Sequence, residues 1–248
     1  MEKKGHNVTE LSVYPVIERG ISHRDWWAHA LRYNHVLNIA KIGMNIMDFG
    51  SGKGELFETF YRNRYSPKRF LGLDIRKSAI DFNKEKFPKA EWIEEDLVKM
   101  ETNYGKYWDI ITSFEVIEHI SKHNAQKFLN NIKRHCNENT IVLISTPCYD
   151  EKTGAADNHT YDGGDGRGKA VQEFTYEEME ELLQNNFEII DKFGTFASQK
   201  DYKKHMSTEE DFVWNQLNKY YDSNLMSVIF APLYPEYSRN VIWKLKLK

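Results

Sequence analysis

Strand-like and helix-like segments alternate from Met44 to Pro147, and few folds accept that order. The runs are MNIMDFG, ELFETFYRNRY, RFLGLDI, KSAIDFNKEKF, AEWIEED, YWDIITSF, NAQKFLNNIKRHC and TIVLISTP. Strands separated by helices pair in parallel through right-handed crossovers, which predicts an α/β fold with a doubly wound, mostly parallel sheet. Further on, EFTYEEMEELLQNN predicts a helix with Thr175 as N-cap and Glu178 as its capping-box partner. FEIIDKFGTFAS and NVIWKLKLK predict two more strands. About 40 residues lie between these strands, an insertion of the length that often builds a pocket. It carries Trp214, Tyr220, Tyr221, Phe230, Tyr234 and Tyr237.

No repeat or low-complexity linker divides the chain, so residues 1–248 read as one domain. Within it, 1–43 reads as a helical N-terminal cap, 44–147 as a ligand-binding core, 148–172 as an active-site lid and 200–238 as the aromatic insertion. The lid assignment rests on glycines and acids without apolar period from Tyr149 to Gly168. A formal charge of -3 gives no general attraction to nucleic acid, which is therefore not favoured as a partner. Two cysteines are too few for a disulfide framework. The first residues lack a signal-peptide core, and no run approaches the ~20 apolar residues that span a bilayer. A cytoplasmic protein without membrane association is the expectation.

The run IMDFGSGKGEL places Gly50, Gly52 and Gly54 after an apolar strand and before a helix, where glycine lets backbone turn sharply and approach a ligand. A dinucleotide fingerprint would need a third glycine where Glu55 stands, so the spacing fits that class poorly. Asp74 closes the strand FLGLD, and a doubly wound sheet brings it beside the glycine turn. There a carboxylate can accept hydrogen bonds from both ribose hydroxyls. The bland alternative is that Asp74 caps the next helix.

These segments together resemble the class I S-adenosylmethionine-dependent methyltransferases. DFGSGKG resembles that family's first motif, FLGLDI its second, EEDL its third, YWDIITSFEVIEHI its fourth and TIVLISTP its fifth strand. The resemblance implies a Rossmann-like, seven-stranded sheet with an antiparallel last strand, and S-adenosyl-L-methionine as cofactor. It assigns the cofactor to Asp48, Gly50, Ser51, Gly52, Gly54, Asp74, Ile75, Asp96, Leu97 and Phe114, with Asp74 on the ribose and Asp96 and Leu97 near the adenine.

The fourth strand ends in Glu115, Glu118 and His119, which share one face if a helix starts there. Three readings compete. His119 could act as general base with Glu115 orienting the acceptor or touching the cofactor. The three side chains could instead hold a divalent metal such as Mg that polarises acceptor hydroxyls. This E-x-x-E-H pattern resembles ubiquinone-pathway O-methyltransferases and the enzymes that methylate small-RNA 3′ ends on the 2′-hydroxyl. The latter carry an asparagine after Ser-Thr-Pro, where Cys148 stands here. The third reading is a structural helix start. His159, in the lid, is a further catalytic candidate. On the N-terminal cap, Arg24, Trp26, Trp27, His29 and Tyr33 could touch either ligand.

A sulfonium methyl is already activated, so alignment of the acceptor, at ~7–11 kcal/mol, should outweigh a general base at ~10²–10⁴-fold. The leading expectation is in-line O-methylation of a small polar metabolite or sugar. One rival is a metal-using nucleic-acid 2′-O-methyltransferase, supported by E-x-x-E-H and by Arg62, Arg64, Lys68 and Arg69. Another is a non-catalytic S-adenosylmethionine-binding partner subunit.

Overall fold

The computed structural model describes residues 24–149, 173–197 and 202–248. Its sheet follows the order β3-β2-β1-β4-β5-β8-β7, with a two-residue strand, β6, beside β5. The parallel strands are β1 (Asn45–Phe49), β2 (Arg69–Asp74), β3 (Glu91–Glu94), β4 (Ile110–Phe114) and β5 (Ile141–Tyr149). β6 (Phe174–Thr175) pairs in parallel with the last two residues of β5. β8 (Ser238–Lys246) runs antiparallel to both β5 and β7 (Glu188–Ala197), so seven strands form the main path and one is reversed.

Period-2 alternation splits the strands between two cores, because successive side chains point to opposite faces. Met47 and Phe49, Val142 and Ile144, and Val241, Trp243 and Leu245 fill one core. Ile46, Leu143 and Ile242 fill the other. The first core is closed by α4 (Lys122–Arg134) and α5 (Tyr176–Asn186). In α4, Ala125, Phe128, Leu129 and Ile132 form the i, i+3, i+4, i+7 stripe of a half-buried helix. The second core is closed by α1 (Arg24–Ile39), α2 (Glu55–Arg62) and α3 (Lys77–Lys86). Helices on both faces make the sheet doubly wound, as the alternation predicts.

α5 starts as predicted: Thr175 Oγ1 accepts from Glu178 N, and the Glu178 carboxylate accepts from Thr175 N. Between β7 and β8 the chain forms α6 (Thr208–Leu217) and α7 (Ser223–Phe230). β7 is parallel to β5, so this connection lies at the carboxyl edge of the parallel strands. Ala28 of α1 packs there with Phe196 and Val228. No helix among the described residues is long and apolar enough to cross a membrane.

Candidate functional site

The carboxyl edge of β1 turns through three glycines with positive φ, 85° at Gly50, 55° at Gly52 and 78° at Gly54. The turn is tied to β2, since the N–H groups of Gly50 and Ser51 both donate to the Leu73 carbonyl at 2.8 Å. At Gly50 glycine is obligatory for a second reason: a Cβ there would lie 2.3 Å from Val116 Cγ2. Ser51 Oγ is buried without a hydrogen-bond partner, and so is Ser113 Oγ near the end of β4. Buried polar atoms are rarely orphaned unless a ligand or water completes them. A glycine cradle with an unmet hydroxyl fits an adenosine-bearing donor.

Asp74 stands beside this turn, as predicted, but its carboxylate is already engaged. Oδ2 accepts from Gly52 N at 2.9 Å, and Oδ1 from Arg76 N at 2.8 Å. The Arg76 guanidinium reaches both oxygens, at 3.1 and 3.2 Å. Ribose hydroxyls can take up this carboxylate only by replacing the guanidinium. Ile75 is 37% exposed next to it. Asp96 Oδ1 accepts from Val98 N and Lys99 N, while Leu97 is buried in the core. Phe114 is half-buried, 6.3 Å from the Tyr33 ring.

Acids crowd the turn. Burial pushes the Asp48 carboxyl up to about 7, with Glu55 and Asp74 adding to the rise against a 2.7 Å hydrogen bond donated by Thr112. Burial also raises Glu55, with Arg76 among the groups opposing that rise. The Tyr33 phenol is raised by burial, then by Glu55. A cation placed beside these carboxyls would favour their ionised forms.

The E-x-x-E-H segment differs from the expectation. Glu115 has φ 56°, in the left-handed region, and only Ile117–His119 form a single 3₁₀ turn. The helix proper, α4, begins at Lys122. Glu115 is therefore outside any helical repeat, and the three side chains do not share a face. Its carboxylate turns toward β5, β8 and α1, accepting from Ser145 Oγ at 2.8 Å and Asn240 Nδ2 at 2.7 Å, with Arg32 Nη1 at 3.1 Å. Glu118 is buried and accepts from the Thr146 hydroxyl at 3.1 Å; burial, then Glu115, raises its carboxyl well above the usual range. His119 points outward, its side chain 37% exposed and its Nε2 4.0 Å from Glu118 Oε1. Among the described residues no group of three His, Cys, Asp or Glu is placed to hold a metal ion, so the metal reading of Glu115, Glu118 and His119 finds no support there. His159 and the lid from 150 to 172 lie outside the described residues, as do the side chains of Arg24 and Trp26.

Sequence reasoning missed Arg32, Ser145 and Asn240. Arg32 is 1% exposed, with Nε and Nη1 lacking an aligned hydrogen-bond acceptor. A signal existed: Ala28, Arg32 and Val36 lie at i, i+4 and i+8, and all three are buried. No local signal marks Asn240, which reaches Glu115 across 125 positions of sequence.

A family model described as "Methyltransferase domain" matches residues 24–192. A ubiquinone biosynthesis O-methyltransferase of Rickettsia canadensis is 27% identical over 114 residues, 46% of this chain and 46% of that protein. The chain thus spans about half the length of the curated relatives it matches. Among solved structures, an S-adenosylmethionine-dependent methyltransferase from Archaeoglobus fulgidus superposes with TM-score 0.56 at 18% identity, covering 90% of this chain and 94% of that one. A TehB-like enzyme from Corynebacterium glutamicum gives TM-score 0.54 at 16% identity, covering 92% and 100%.

A doubly wound sheet with a reversed strand and a glycine turn facing an acid defines a Rossmann-like α/β fold. The family match makes the assignment specific: the chain belongs to the methyltransferase family and is a class I S-adenosylmethionine-dependent methyltransferase.

Proposed function

We propose that this enzyme O-methylates a small polar acceptor, a hydroxylated metabolite or sugar, at the carboxyl edge between β4, β5 and the β7–β8 connection. The carrying observation is Glu115: a left-handed, non-glycine residue whose carboxylate is fixed by Ser145, Asn240 and Arg32. Strained backbone held by surrounding bonds is characteristic of positions where geometry matters to chemistry. The name of the Rickettsia relatives, O-methyltransferase, favours oxygen over nitrogen as the acceptor atom.

S-adenosylmethionine would supply a methyl group already activated on a sulfonium. The chain's own work is then to grip the donor and aim the acceptor. In this reading the backbone of Gly50, Ser51, Gly52 and Gly54 cradles the donor, and Asp74 exchanges the Arg76 guanidinium for ribose hydroxyls. Ile75, Asp96, Leu97 and Phe114 border its adenine and methyl ends, and Asp48, Glu55 and Asp74 complement its positive charge. Glu115 orients the acceptor, the unmet N–H groups of Arg32 offer it charged donors, and His119 accepts the hydroxyl proton.

A screen of phenols, sugars and amines with S-adenosylmethionine, read as S-adenosylhomocysteine release, tests the reading. The expected result is methyl ether formation, with His119→Gln lowering kcat ~10²–10⁴-fold while donor affinity stays within about twofold. Asp74→Ala should weaken donor binding ~10-fold or more. Turnover confined to amines would refute the assignment to oxygen.

A further inference from the structure

The opposite, amino edge of the sheet carries a second feature. α2 starts at the glycine turn and ends at Arg62, and β2 starts at Arg69, so the intervening residues lie at the far end of both elements. Five residue steps at ~3.3 Å put this edge roughly 17 Å from Asp74. A hollow of about 550 Å³ opens here, bordered by Tyr61, Arg62, Arg64, Lys68, Arg69 and Lys89, and no carboxylate among the described residues lines it. Two of its cations are committed, Arg62 to Glu58 at 2.7 Å and Arg69 to both oxygens of Glu91. Arg64, Lys68 and Lys89 have no side-chain hydrogen bond or ion pair among the described residues. A chain of net charge -3 thus gathers five cations about one concavity and leaves three of them unneutralised.

Arg64 shows that this charge is held against local preference. The end of α2 is a Schellman motif: Tyr65 N donates to Phe60 O at 2.9 Å and Arg64 N to Tyr61 O at 3.2 Å. Tyr65 packs on Phe60, with ring centroids 5.0 Å apart. Arg64 occupies the left-handed position of that motif, with φ 55°, where glycine or asparagine normally stands. A long cationic side chain is kept where its own backbone is strained, and the Tyr61 ring, 67% exposed, stands on the same rim.

We propose that this hollow binds a phosphate-bearing ligand with a flat ring, a nucleotide, at a site separate from methyl transfer. Arg64, Lys68 and Lys89 neutralise the phosphate, and Tyr61 offers its face to the base. The same chemistry arises from a free nucleotide or from one unit of an RNA strand, and the hollow holds either.

The test is calorimetry on the full chain at low salt, with S-adenosylhomocysteine saturating the donor site. Adenosine monophosphate and a short single-stranded oligouridine are the two probes. The wild-type protein binds at least one of them, more weakly as salt is added. Arg64→Gly relaxes the backbone, so Tm rises by about 2–4 °C. Yet it weakens binding about 10-fold or more, and Lys68→Ala with Lys89→Ala does so without a change in Tm. Affinity for the oligonucleotide well above that for the monophosphate assigns the strand; equal affinity assigns the free nucleotide. Absence of binding below ~1 mM for both probes, or binding unchanged by these substitutions, overturns the proposal. S-adenosylhomocysteine uptake by each variant is read separately, so failure at the donor site stays distinct from failure here.

Discussion

Gly50→Ala separates two costs that a tight ligand-binding turn combines. The first is backbone: at φ 85° an alanine is in the left-handed region, worth about 1–2 kcal/mol. The second is collision, with Cγ2 of Val116 2.3 Å and Cγ1 3.2 Å from the added carbon. A β-branched side chain has one favoured χ1, so rotating one methyl away brings the other in. Overpacking of this kind adds about 1–3 kcal/mol. Gly43→Ala supplies the control, because Gly43 has φ 89° and nothing within 4 Å of its Cβ position. Urea denaturation should show a loss of about 1–2 kcal/mol for Gly43→Ala and about 2–5 kcal/mol for Gly50→Ala. Adding Val116→Ala to Gly50→Ala should relieve the collision and leave the backbone cost. Donor affinity should fall in Gly50→Ala and not in Gly43→Ala. If the two glycine variants are equally stable, the close approach of Val116 to the turn is not what demands glycine, and the reasoning fails.

Two further outcomes follow from buried charge. The Asp48 carboxyl titrates at about 7 in the folded chain and near its ordinary acid value when unfolded, so the folded state binds the extra proton. Its contribution to stability is present at low pH and is lost as pH rises through about 7, with a slope of up to about 1.4 kcal/mol per pH unit. Asp48→Asn should therefore gain on the wild type between about pH 4 and 7 in urea titrations, and parallel curves would refute this. Arg239 forms a two-pronged ion pair with the fully buried Glu173, at 2.5 and 2.7 Å, and also donates to the Cys148 carbonyl at 3.0 Å. Arg239→Ala removes the two-pronged partner of a buried carboxylate and should cost about 3–5 kcal/mol, whereas a loss under 1 kcal/mol would show that this pair is not what holds Glu173 in place.

The cofactor half of the fold is readable because its signals are local. β1, the glycine turn, β2 and Asp74 lie within 30 consecutive residues, and backbone hydrogen bonds of parallel pairing then place the acid against the turn without help from elsewhere. Thr175 and Glu178 are equally local, and their capping box forms as read. The surroundings of Glu115 are assembled from distant pieces. Glu115 is fixed by α1, β5 and β8, and none of those contacts has a spacing that a linear pattern can reveal.

The helical spacing of E-x-x-E-H is not realised for the same reason. Spacing at i, i+3 and i+4 aligns side chains only once the backbone is helical, and Glu115 is diverted by its partners before the turn begins. Asn240 and Ser145 accommodate a left-handed glutamate by bonding its carboxylate, while Glu118 continues inward to Thr146 and His119 turns out toward solvent. Three residues adjacent in sequence thus acquire three environments: one carboxylate held and partly exposed, one buried and resistant to ionisation, one imidazole accessible. Under the proposed O-methylation, Glu115 would orient the hydroxyl and His119 would take its proton, and removing Asn240, which holds the Glu115 carboxylate at 2.7 Å, should degrade that geometry although its amide need not touch the acceptor.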